Sequence, residues 1–129
     1  MATKPKKLPI SVLYAEDKAS IRKVYSNVLK TFCEEVHVAV NGKTGLSLFN
    51  KFRPDLVITD LNMPEMNGLE MIAEIRKKDP DTRIIIMTAH DARENFLHAI
   101  RHRVRGYLIK PVEHDELEAQ VRELAREIL

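Results

Sequence analysis

Glu16, Asp17, Asp60, Thr88 and Lys110 bring together carboxylates, a hydroxyl and an ammonium, and each lies at the downstream end of a short apolar run. "ISVLYA" leads into Glu16 and Asp17, "DLVITD" ends on Asp60, "RIIIMT" on Thr88 and "RGYLIK" on Lys110, which is followed by Pro111. Singly, each has a plain explanation. Asp60 before a loop can form a turn or cap a helix, Glu16, Asp17 and Thr88 can cap the helices that follow them, and Lys110 can be solvated. Capping, however, gives no reason for a lysine after the last run. If the runs are strands of one parallel sheet, their carboxyl ends share an edge, and ligands bind in the crevice outside such an edge.

Three carboxylates gathered there repel one another and raise the pKa of at least one, unless a cation is present. Mg²⁺ suits such a place, because it is held by a few carboxylates while keeping water and phosphate oxygens in its shell. Lys110 then serves as a point charge for a phosphoryl oxygen and Thr88 as a hydroxyl donor to another. This chemistry is phosphoryl transfer, with Asp60 as the nucleophile that forms an aspartyl phosphate.

The elements that must position these residues are legible as an alternation. The apolar runs, with "EVHVAV" as a further one, are separated by longer stretches in which apolar residues recur at helical spacing, as in successive βα units on a parallel sheet. Ile21, Val24, Val28 and Phe32, with Tyr25 and Leu29, mark a first helix. Leu46, Phe49 and Phe52 mark a second, and Leu69, Ile72 and Ile75 a third that ends at "KKDP". Phe96, Ala99 and Ile100 mark a fourth; Leu117, Val121, Leu124 and Ile128 mark a fifth. "LVI" at 56–58 and "IIIM" at 84–87 are continuous, as central strands covered on both faces should be, whereas "EVHVAV" alternates and suits an edge.

The 129 residues fit one domain, of which 44% are apolar and 31% charged. With 21 basic and 19 acidic residues, the net charge of +2 gives no general case for nucleic acid or membrane binding. Residues 1–8 read as a flexible basic leader and 9–129 as the folded domain. "MATKPKKLP" has no apolar stretch behind it long enough for a signal peptide, and stable membrane anchoring usually takes two signals. Cys33 stands alone, so no internal disulfide forms and a cytoplasmic location is expected.

"VLYAED", "AVNGKTGL", "PDLVITDLNMPEMNGLEM", "IIIMTAH" and "GYLIKPV" together resemble the receiver domain of two-component response regulators, including the single-domain chemotaxis type. The resemblance runs from about Leu8 onward. It implies a flavodoxin-like α/β fold: a doubly wound, five-stranded parallel sheet of order 2-1-3-4-5 with five helices on its two faces. It also implies that Asp60 accepts a phosphoryl group from a histidine kinase or a histidine phosphotransfer protein, in a signalling switch rather than an enzyme. By position, Asp17 and Asp60 would ligate Mg²⁺, Glu16 would act directly or through water, and Asn62 would contribute its backbone carbonyl. Thr88, the Ala89 N–H and Lys110 would bind phosphoryl oxygens, and the Lys110–Pro111 bond would be cis. Tyr107 corresponds to the switch aromatic that follows Thr88, while Asn62 and His90 would tune how fast water attacks the phosphoryl group.

Two departures from the family pattern stand out. Glu16 takes the place of a more usual aspartate. "RHRVRGY" brings Arg101, His102, Arg103 and Arg105, with His98 a turn earlier, onto the expected output face near Tyr107. Two readings compete for this basic segment, a solvated helix end whose cations suit the helix C-terminus and a docking face for an acidic output partner or effector domain; a homodimer through the fourth and fifth helices is left open. Whether the chain is complete or the front of a longer regulator stays open.

Other functions fit the residues less well. "NGKTG" lacks the first glycine of a P-loop, since His37 stands in its place. A phosphatase of the haloacid dehalogenase type is the serious alternative, but it needs a second aspartate where Asn62 stands. A flavin site is disfavoured by the acidic pocket.

Overall fold

A computed structural model describes residues 6–89 and 93–129. Strands β1 (Leu8–Ala15), β2 (Cys33–Ala39), β3 (Leu56–Thr59), β4 (Arg83–Thr88) and β5 (Gly106–Ile109) alternate with helices α1 (Ala19–Phe32), α2 (Gly42–Phe52), α3 (Gly68–Lys78), α4 (Arg93–Arg101) and α5 (His114–Ile128). The strands pair in parallel in the order β2-β1-β3-β4-β5. The expected doubly wound sheet is present, with "EVHVAV" at one edge. β1 begins at Leu8, paired with Cys33, so the sheet starts one residue before the expected boundary at 9.

Strand periodicity explains why the continuous runs are apolar throughout: successive side chains point to opposite faces, and here both faces are covered. Val12, Tyr14, Leu56, Ile58, Ile85 and Met87 pack on one face with residues of α1 and α5. Leu13, Ala15, Val57, Ile84 and Ile86 pack on the other with residues of α2, α3 and α4. The first helix corrects one detail of the periodicity, because Val24 is 58% exposed while Tyr25, Ser26, Leu29 and Phe32 are buried. The apolar stripe is broader than the face the sheet can cover. Cys33 is free and buried, and burial pushes its thiol pKa up to about 12.

α3 starts on a capping box. The Asn67 side chain accepts from the Glu70 N–H at 2.9 Å and the Glu70 carboxylate accepts from the Asn67 N–H at 3.1 Å. That cap fixes the far end of the loop that leaves Asp60.

Candidate functional site

Backbone hydrogen bonds continue the sheet past the strand ends. The Glu16 N–H donates to the Ala39 carbonyl at 3.0 Å, the Asp60 N–H to Ala15 at 3.1 Å and the Lys110 N–H to Thr88 at 2.8 Å. The residues beyond β1, β3 and β5 are thereby locked in register along one rim. The rim is where the strand order places a crevice.

Glu16, Asp60 and Thr88 are buried there, and the Lys110 side chain is only 7% exposed. Asp60 Oδ1 accepts from the Leu61 N–H at 2.6 Å, the Asn62 N–H at 3.2 Å and the Thr88 hydroxyl at 3.0 Å. Its Oδ2 accepts from Lys110 Nζ at 2.8 Å, and the same ammonium donates to Glu16 Oε1. Glu16 Oε2 accepts from the Lys18 N–H at 3.2 Å. One lysine thus serves two buried acids.

The electrostatics differ between those acids. Burial opposes ionisation of Asp60, but the hydrogen bond and charge of Lys110, with the Asn62 N–H and the Thr88 hydroxyl, outweigh it and hold the carboxyl below its ordinary value. For Glu16 burial wins over Lys110 and raises the pKa. Lys110 is raised: burial disfavours its charge, but hydrogen bonds to Asp60 and Glu16 prevail. The network therefore keeps Asp60 as the carboxylate and Lys110 as the cation.

The other expected residues are placed as follows. Asp17 is partly buried, and its Oδ1 is buried without a hydrogen-bond partner. The Asn62 side chain is exposed, so its backbone makes the contact to Asp60. Ala89 is exposed just past β4, and His90 lies outside the described residues. The Lys110–Pro111 bond is cis. Tyr107 is half-buried, with its ring edge-on to Phe96 at 5.6 Å.

The segment 101–107 is divided. Tyr107 lines a recess of about 200 Å³ with Phe96, Ala99 and Ile100, whereas Arg103 lines another of about 240 Å³ with Arg76, Asp81 and Arg83 at the amino-terminal edge of β4. Arg105 borders both and pairs with Glu127 at 2.5 Å. His98 and Arg101 are exposed.

Among the described residues, no three His, Cys, Asp or Glu groups converge as a ready metal cluster, since Lys110 stands between Glu16 and Asp60. The donor types nevertheless fit a hard divalent ion. Oxygen ligands are what Mg²⁺ takes, and Asp17 supplies a buried oxygen that nothing else satisfies.

Periodicity and motif reading missed three supports. A Cβ at position 68 would stand 2.0 Å from the Asp60 carbonyl oxygen, so only glycine lets α3 begin against the Asp60 backbone. Arg22 of α1 donates to the carbonyls of Glu16 at 2.9 Å and Asp17 at 3.1 Å. The Tyr25 hydroxyl accepts from the Val112 N–H at 2.9 Å. Of these, the crowding at Gly68 had a local signal, the "PEMNG" turn.

The family model of the response regulator receiver domain matches residues 12–122. The chain is 37% identical over 106 residues to the regulatory protein AtoC of Escherichia coli and 32% identical over 111 residues to the regulatory protein LuxO of Vibrio cholerae. These matches take 82% and 86% of this chain but only 23% and 24% of those proteins, so the chain spans about a quarter of the length of the curated relatives it matches. Among solved structures, the N-terminal domain of an uncharacterized protein from Wolinella succinogenes superposes with a TM-score of 0.87 at 31% identity, covering 92% of this chain and 95% of that one. The Vibrio cholerae chemotaxis protein CheY4 gives 0.84 at 29% identity, covering 90% and 98%. The chain belongs to the response-regulator receiver domain family. Its class is the phosphorylation-activated signalling switch of two-component systems, which displaces the phosphatase alternative.

Proposed function

We propose that Asp60 accepts a phosphoryl group from the phosphohistidine of a sensor histidine kinase or a histidine phosphotransfer protein, and later loses it to water. One observation carries this reading: Asp60 is a buried carboxylate with a lysine ammonium on one oxygen and a threonine hydroxyl on the other, at the carboxyl edge of the sheet. In the transfer, an Asp60 oxygen attacks phosphorus, the phosphorus–nitrogen bond breaks, and its electron pair stays on the imidazole. In the reverse half, water attacks phosphorus, the bond to Asp60 breaks, and inorganic phosphate leaves with the proton shed to solvent.

Lys110 holds one phosphoryl oxygen by charge, and Thr88 with the Ala89 N–H holds others. Asp17, Asp60, the Asn62 carbonyl and Glu16, directly or through water, would hold Mg²⁺, which supplies positive charge beside the transferred group. By the family resemblance, Asn62 and His90 would tune how fast water attacks the phosphoryl group. Thr88 exchanges Asp60 for the phosphoryl group, and Tyr107 follows, changing the face formed by α4, β5 and α5. An output partner, an appended effector domain or a second copy reads that face near His98, Arg101, Arg103 and Tyr107.

Among the described residues no helix is long and apolar enough to cross a membrane. The reading places the domain in the cytoplasm with its kinase, and assigns it neither membrane nor direct nucleic-acid contact. The test is incubation with acetyl phosphate, following intact mass. Magnesium-dependent gain of one phosphoryl group, abolished by EDTA and by Asp60→Asn, is expected. Equal modification of Asp60→Asn would overturn the assignment.

A further inference from the structure

We propose that Tyr25 is a positioning residue for Lys110, and that through Tyr25 and Arg22 helix α1 indexes the acid-bearing and lysine-bearing loops to one rigid element. The inference rests on the reading of Asp60 as acceptor and Lys110 as its phosphoryl-binding cation.

Lys110 needs outside support. Its strand, β5, has four residues, lies at the edge of the sheet and contains no fully buried position. Its ammonium must nevertheless meet two carboxylates at the end of a long, flexible stem. Where the ammonium sits depends on where the backbone of residue 110 stands. Upstream, that backbone is held by the bond from the Lys110 N–H to Thr88. Downstream, the next long-range tether is the buried bond from the Val112 N–H to the Tyr25 hydroxyl, spanning 87 residues.

Tyr25 is suited to the task. It is 8% exposed, and its ring packs edge-on against Tyr14 of β1 with centroids 6.5 Å apart. The hydroxyl is thus fixed by ring packing on the strand that leads to Glu16. Arg22, three residues earlier on α1 and so on the same side of the helix, donates to the carbonyls of Glu16 and Asp17. One helix therefore sets the distance between the acids and the lysine loop.

Tyr25→Phe removes the acceptor and keeps the ring. The experiment measures Asp60 modification by acetyl phosphate and Mg²⁺ in the wild type, Tyr25→Phe, Lys110→Ala and the double variant. Amide hydrogen exchange at Val112 and urea unfolding are measured on the same proteins. Tyr25→Phe should modify about three- to tenfold more slowly, the effect of losing one well-placed hydrogen bond. Val112 exchange should quicken, and the urea midpoint should fall modestly because a buried N–H loses its acceptor. In the Lys110→Ala background the same change should alter the rate by less than about twofold, because a positioning residue acts only through the group it positions.

Equal rates for wild type and Tyr25→Phe would overturn the inference alone. So would an undiminished effect of Tyr25→Phe without Lys110, which would mark the tyrosine as a general structural residue. A wild type that takes no phosphoryl group would overturn the underlying reading of the site as well.

Discussion

At the carboxyl ends of the strands, Glu16, Asp60, Thr88 and Lys110 are buried and bonded to one another across 28 to 94 residues of sequence. At the opposite ends, Arg76 donates to the carbonyls of Asp79, Thr82, His102 and Arg103, and Arg105 makes a two-pronged contact with Glu127 at 2.8 and 2.5 Å. The arginines tie loops together with groups that are already neutral or exposed. The rim instead crowds two buried acids on one lysine. Charge at the arginine end is scaffolding, whereas at the rim it is concentrated on buried side chains, as at sites built for chemistry.

The largest expected contrast between the two ends comes from removing one cation at each. Lys110→Ala should slow Asp60 modification by roughly a hundredfold or more, since a preorganised charge at the developing oxyanion is lost. Arg105→Ala should leave the rate as it is. Kinetics with acetyl phosphate decide this, and similar losses in both variants would erase the distinction.

A smaller, structural effect is expected at Gly68. Gly68→Ala drives a methyl group against the Asp60 carbonyl, which should cost about 1–3 kcal/mol in urea unfolding. An unchanged midpoint would show that the loop yields freely and that the Asp60 backbone is not clamped there.

Smaller again is the pH dependence of stability, measured with EDTA present. Because Glu16 is raised in the fold above its ordinary value of 4.5, the folded state keeps a proton the unfolded chain has shed, and stability falls as pH rises from there through the folded value. Asp60 has the opposite sign: lowered from 3.8, it contributes stability above that value that is lost as pH falls through its folded value. Glu16→Gln should remove the first limb and leave the second. Parallel curves for the two proteins above pH 4.5 would mean that the glutamate is not strained by burial.

The least effect is expected at the exposed Arg105–Glu127 pair, where solvent screens the contact. Arg105→Ala should not measurably move the urea midpoint. A clear loss of stability would move the arginine end out of the scaffolding role.

Much of this was legible in the residues themselves. "LVI" and "IIIM" are apolar without interruption because both faces of β3 and β4 are covered, and "EVHVAV", less uniformly apolar, forms most of the edge strand β2. The convergence of Asp60, Thr88 and Lys110 followed once the strands were read as parallel. What stayed hidden has no local pattern. Tyr25 looked like one more apolar position of a helical stripe, and nothing in its neighbourhood announces a bond to Val112. Val24 looked equally core-facing, yet the sheet is too narrow to cover it. The bonding of Lys110 to Glu16 as well as to Asp60 had no local sign either. A side chain that joins residues 94 positions apart is set by tertiary register, not by spacing.

Peptide mapping of the protein after reaction with acetyl phosphate and Mg²⁺ tests the central claim most directly, because it distinguishes the carboxylates of one rim. A phosphoryl group confined to the peptide that carries Asp60, with Glu16, Asp17 and every peptide of the arginine end unmodified, is the expected result. A phosphoryl group on Glu16 or Asp17, or spread over surface carboxylates while Asp60 stays free, would contradict it.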